Sequence, residues 1–109
     1  MRPLLRFALF WSVDLVLHGQ QLPYPTYLTP QVSFVGSGPT TLALYNEGYP
    51  AGLTAFWNGS PRPTAPGTSP QGYTVSLTAA DLSAPQLAVI TMVNVQSGAV
   101  VDTVNCPVG

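Results

Sequence analysis

Lysine is absent from this 109-residue sequence, and charged residues of every kind make up only 6% of it. A soluble domain ordinarily carries about 25%, so solubility here falls to Ser, Thr, Asn and Gln. Two of the three arginines, Arg2 and Arg6, lie in the first six residues, which leaves Arg62 as the one Lys/Arg cation beyond them. Holding a phosphate backbone takes several Lys or Arg side chains to displace its counterions. No such set exists, and nucleic acid is excluded as a partner. Cysteine is nearly absent too. Cys106 alone closes no internal disulfide, so stability has to come from packing and sheet hydrogen bonds. A catalytic thiol needs a histidine beside it, and the one histidine, His18, stands at the other end of the chain. Cys106 therefore reads as an inert small hydrophobe, with intermolecular pairing as its other use. A zinc site needs several Cys or His ligands, and no Asp-x-Asp spacing announces a calcium loop. No cofactor and no metal are expected.

What the chain has in quantity is apolar surface and punctuation: 46% hydrophobic residues, with 12 Pro and 10 Gly. That is enough for one small core. Residues 1–25 differ from the rest. Two arginines, an apolar run from Phe7 to Leu17 and a polar exit resemble a secretory signal, although Asp14 interrupts the run and no small-x-small cleavage site follows. A bilayer needs about 20 apolar residues, so no stable transmembrane anchor is expected. The same residues also alternate, with Phe7, Leu9, Trp11, Val13, Leu15 and Leu17 on one face of an extended chain. A retained segment of that kind could be donated as a strand to a sheet edge, its own or a neighbour's. Both readings stand, together with a misassigned start. Residues 26–109 are expected to form the folded domain.

In that domain no stretch has helical spacing; strand-like runs alternate with Pro/Gly punctuation. The expected strands are 32–35, 40–46, 53–58, 60–64, 72–78, 86–94 and 100–106. The fold class is all-β, a seven-stranded immunoglobulin-like sandwich. Period-two alternation sends Leu42, Leu44, Leu53, Ala55, Trp57, Tyr73, Val75, Leu77, Ala88, Ile90 and Met92 inward, and Thr41, Thr54, Thr74, Ser76 and Thr91 outward. Trp57 is the expected packing centre. Asn58-Gly59 between two such runs is a hairpin signal, because a type I′ turn needs positive φ at both central residues. The letters Asn58-Gly59-Ser60 also spell a glycan acceptor, but a tight turn followed by Pro61 explains them better.

The patterns GYPAGLTAFWNGSPRPT (48–64), GYTVSLTAADL (72–82) and VITMVN (89–94) resemble the IPT/TIG family of immunoglobulin-like domains, in particular its bacterial extracellular branch. Gly48, Tyr49, Gly52, Trp57, Asn58, Gly59, Ala80, Asp81, Leu82, Val93, Asn94 and Gly98 occupy the family's turn and core positions, over roughly residues 27–106. Asn46 stands in place of the first bend glycine, a change its tolerance of left-handed backbone would allow. Thr78 replaces the usual proline, and Ser83-Ala84-Pro85 lacks the common glycine. The resemblance implies a module of cell-surface and secreted proteins, not a chemistry. The family's transcription-factor branch does not fit a chain so poor in cations.

The carboxylates are Asp14, Glu47, Asp81 and Asp102. Nothing in their spacing pairs two of them across a cleft, as glycoside hydrolysis demands; they read as turn caps or solvated acids, with Asp81 capping a short turn. No enzymatic role is expected. The exposed aromatics Tyr24, Tyr27, Tyr45 and Phe56, with Tyr49 at the bend, are the candidates for surface recognition. So is the Pro/Gly-rich loop from Arg62 to Gly72, and Tyr45, Phe56, Arg62 and Pro63 form the candidate partner surface. The expected role is a non-catalytic extracellular unit for structure, adhesion or assembly, including fibre growth by strand addition. Its partners would be neighbouring modules or its own copies. A carbohydrate-binding module is the alternative.

Overall fold

The computed structural model describes residues 22–109; the expected donor strand Phe7 to Leu17 lies outside them. Among the described residues eight strands, one more than the seven expected, and one 3-10 turn follow one another: β1 (Tyr27–Thr29), β2 (Thr40–Tyr45), β3 (Leu53–Trp57), β4 (Ser60–Pro61), β5 (Thr64–Pro66), β6 (Gly72–Leu77), the turn Ala80–Leu82, β7 (Gln86–Asn94) and β8 (Ala99–Val108). They form two four-stranded antiparallel sheets, ordered β1-β2-β6-β5 and β4-β3-β7-β8. The described residues are all-β, and the two sheets share one apolar core. All eleven residues expected inward are buried there, joined by Leu28, Tyr49, Leu82, Cys106 and Val108. Trp57 is 3% exposed.

The Asn-Gly hairpin is present. Asn58 (φ 49°) and Gly59 (φ 87°) both take positive φ, and Trp57 pairs with Ser60 across them. Asn58 also extends the sheet. Its backbone N–H donates to Val89 O at 2.8 Å, its Oδ1 accepts from Val89 N–H at 2.9 Å, and its Nδ2 donates to Gln86 Oε1 at 2.8 Å. A side-chain amide committed on both atoms is a structural part of the β3–β7 junction.

Three expectations need correction. Residues 32–35 are not a strand: Val32, Phe34 and Val35 are exposed, and only Ser33 makes a bridge, to Val108. The first strand is 27–29 instead, because Leu28 finds the core from there. The run 60–64 is split. Pro61 and Pro63 offer no N–H to a ladder, so the chain pairs β3 for two residues, turns at Arg62 and joins β6 in the other sheet as β5. Asn46 is not left-handed; Asn58 is the one non-glycine residue with positive φ among the described residues.

Strand edges are short or guarded. β1, β4 and β5 have three, two and three residues. The ten-residue β8 is the long edge. Val101 bulges out of its pairing with β7, between Val93↔Val100 and Met92↔Asp102, and bulges disrupt templating. Asp102 turns inward beside the bulge, and its Oδ1 accepts the Thr103 N–H at 3.0 Å. Farther along, Ser33 N–H donates to Pro107 O and Val35 N–H to Gly109 O, both at 3.0 Å.

Candidate functional site

Three polar or aromatic clusters stand out. The first is a clasp between the sheets at the end that carries the 46–49 bend. Asp102, opposite Met92 on the inward side of β8, accepts hydroxyl hydrogen bonds from Thr26 and Tyr49 on the same Oδ2, each 2.6 Å. Burial, and after it the hydrogen bond to Asp102, push the Tyr49 hydroxyl far up in pKa, so it remains the donor. Asn46, 1% exposed, holds the other side. Its Nδ2 donates to Tyr24 O (2.9 Å) and Thr26 Oγ1 (2.8 Å), and its Oδ1 accepts from Gly48 N–H (2.8 Å). Asn46 thus holds the bend through its side chain, not through left-handed backbone. Gly48 is closely packed: a Cβ there would press on the Leu22 and Tyr24 side chains at 3.1 and 3.3 Å.

A cleft of about 370 Å³ opens beside this clasp, between Leu22, Tyr24 and Thr26 on one wall and Asp102–Asn105 on the other. With both oxygens of Asp102 already accepting from Thr26, Tyr49 and Thr103, the carboxylate serves as an inter-sheet tie. Removing its partner chain of bonds should be costly. Asn46→Ala strands the Tyr24 carbonyl and the Gly48 N–H, and at about 1–3 kcal/mol for buried polar groups left unmade the variant should unfold at measurably lower urea. Loss of stability under about 0.5 kcal/mol, the size of an indifferent surface change, would contradict the clasp.

The second cluster is the pair Arg62–Asp81. Arg62 Nε and Nη2 reach the two carboxylate oxygens at 2.8 and 2.5 Å, with side chains 21% and 7% exposed. Asp81 also accepts Thr78 N–H at 2.9 Å, while its own N–H donates to Thr78 Oγ1 at 3.3 Å, the reciprocal pattern of a capping box. Asp81 therefore caps its turn as its position suggested. What spacing did not reveal is the arginine. The hydrogen bond from Arg62 lowers the Asp81 pKa, against the opposing pull of burial. Cys106 is fully buried, with Ser33 Oγ 4.0 Å from its sulfur; burial raises the thiol pKa, which keeps it in the unreactive form.

The third cluster lies on the outer face of the β1-β2-β6-β5 sheet. Tyr27 and Tyr45 are register partners with ring centroids 6.3 Å apart and a tilt of 32°. They border a shallow hollow of about 210 Å³. Among the aromatics expected at the surface, Tyr24 and Tyr27 are exposed, Tyr45 and Phe56 are half-buried, and Tyr49 is buried. Tyr49 is a correction: the bend folds its ring edge-on against Tyr73 at 5.8 Å. Phe56 sits in β3, paired with Pro61 and Thr91, on the outer face of the opposite sheet. Tyr45 and Phe56 are therefore not parts of one site. Arg62 is engaged with Asp81, and Pro63 is exposed beside it at the crossing between sheets.

Among the described residues no group of three His, Cys, Asp or Glu side chains is placed to hold a metal, and no helix is long and apolar enough to cross a membrane. No protein-family model matches the chain, and no curated protein matches it either.

Proposed function

We propose that this chain is a self-contained, non-catalytic module of the immunoglobulin-like type, serving structure or adhesion in an exported protein. The observation that carries the reading is the use made of its acids. Asp81 and Asp102 are both consumed as ties, one to Arg62 and the Thr78 N–H, the other between the two sheets, so neither is available for proton transfer. The sheet orders support the topology. β1-β2-β6-β5 follows the immunoglobulin order A-B-E-D, and β3-β7-β8 follows C-F-G with β4 added beside β3. An Asn-Gly turn directly after the core tryptophan supports kinship with the IPT/TIG domains of bacterial extracellular proteins. The guarded edges favour a module that works as a unit over a subunit that grows by strand addition.

Light scattering on the full chain and on a chain lacking residues 1–21 tests this. Both are expected to be monomeric, because the described strand edges are short or guarded. A full chain that assembles, and stops assembling when residues 1–21 are removed, would replace the self-contained module with a strand donor.

A further inference from the structure

We infer that the hollow beside Tyr27 and Tyr45 is a binding site for a neutral polysaccharide. Its shape follows from the register across the sheet. Tyr27, Tyr45 and Gly72 lie in one row, and Thr29, Ala43 and Thr74 in the next. The two tyrosines carry the bulk of the first row, while the positions beside them, Gly72 and Ala43, carry a hydrogen atom and a methyl group. That contrast makes the depression. Thr68 and Ser69, from the loop before β6, close the far side. The ring formed by Gly67 N–H to Gly72 O (2.8 Å) and Gly72 N–H to Ser69 O (3.0 Å) holds that loop in place. A Cβ on Gly67 would sit 3.1 Å from the Gly72 backbone.

The chemistry of the lining selects the ligand. A pyranose ring has apolar C–H faces and a rim of hydroxyl groups. Aromatic faces carry negative charge density that attracts such C–H groups; the hydroxyls of Thr29, Thr68 and Ser69 can both donate and accept around the rim, and that of Thr74, which donates to the Ala65 carbonyl at 3.5 Å, can accept. Two rings 6.3 Å apart and tilted by only 32° form a shallow cradle, about the length of a sugar residue. The lining contains no Lys, Arg, Asp, Glu or His, so it offers nothing to a sulfate, phosphate or uronate group and no counter-charge to a peptide. At about 210 Å³ the hollow falls short of the roughly 300–1,000 Å³ that encloses a free small molecule. It suits one or two rings of a chain running across the sheet. Tyr27, 61% exposed, is the contact that a ligand would cover most. This inference is independent of the oligomeric state proposed above.

Affinity electrophoresis of the full chain in gels containing single polysaccharides reads it out. Neutral glucans, xylans, mannans and galactans form one arm, polygalacturonate and heparin the other. At least one neutral polymer should retard the parent and neither charged polymer should. Tyr27→Ala and Tyr45→Ala should each weaken retardation at least tenfold, Tyr27→Trp should keep it, and Phe56→Ala, on the opposite face, should leave it unchanged. Tyr27 is exposed enough that its variant is expected to keep the parent's melting profile, so a lost interaction is read against an intact fold. No retardation by any neutral polymer, or retardation indifferent to Tyr27 and Tyr45, overturns the assignment. Self-association abolished by Tyr27→Ala would give this face to a second copy and overturn it as well.

Discussion

Trp57→Ala is expected to remove about 3–5 kcal/mol of stability, the range found when large aromatic side chains are cut out of a core. Trp57 is the last residue of β3 and is 3% exposed; it shares the inward face with Leu53 and Ala55 and is opposite Ile90 of β7. Its neighbours cannot close over the missing indole, because β3 is held on one side by β7 and on the other by the Asn58–Gly59 hairpin. Small domains have only about 5–15 kcal/mol in total, so the variant should lose a large share of its stability. Urea titration followed by circular dichroism measures it, and at about 4–8 °C per kcal/mol for a domain of this size the melting temperature should fall in step. Trp57→Phe, which keeps an aromatic ring in the site, should lose distinctly less. A change below about 1 kcal/mol for the alanine variant would show that the core is not built around this residue.

Arg62→Met should cost about 1.5–3 kcal/mol, and its signature is in the pH dependence. Hydrogen bonds to charged groups contribute about 1.5–3 kcal/mol, and the pair is part-buried, with Arg62 21% exposed. Asp81, with its side chain 7% exposed, would keep only the Thr78 N–H. In the parent, Arg62 lowers the Asp81 pKa in the folded state. The contribution is therefore complete above the unfolded carboxylate value, about 3.9, and is lost as the pH falls through the lower folded value. In the variant burial is opposed only by the Thr78 hydrogen bonds, so the folded acid should protonate at higher pH than in the parent. The stability gap between parent and Arg62→Met should thus be widest near neutrality and narrow as the pH drops below about 4. Urea midpoints between pH 3 and pH 7 report it. Parallel curves would show that the ion pair contributes nothing that depends on the charge of Asp81.

Much of the interior was legible before the structure. Alternation is a property of neighbouring residues, since successive side chains of a strand point to opposite faces. Leu42, Leu44, Leu53, Ala55, Trp57, Tyr73, Val75, Leu77, Ala88, Ile90 and Met92 could therefore be assigned to the core without knowing which strand meets which. The same holds for the Asn58–Gly59 turn, whose positive φ angles are the preference of those two residues. Misreadings began where a decision needed a partner. Val32, Phe34 and Val35 are as strand-like as Tyr27–Thr29, but it is Leu28 that reaches the shared core. The Pro61–Pro63 stretch looked like one run because nothing local says that β3 holds one end and β6 the other.

The candidate sites belong almost wholly to that second category. Thr26 and Asp102 are 76 positions apart, Tyr49 and Asp102 are 53 apart, and Arg62 and Asp81 are 19 apart. Tyr27 and Tyr45 became a pair only through the register of β1 on β2. Residue types and their local order determined that residues 26–109 would fold as strands, which faces would be apolar and where the tight hairpin would form. Which acids became ties, which tyrosines came to lie side by side, and which strands became edges were decided by tertiary structure, because a strand's pattern specifies the face it buries while the pairing and register of sheets select its neighbours.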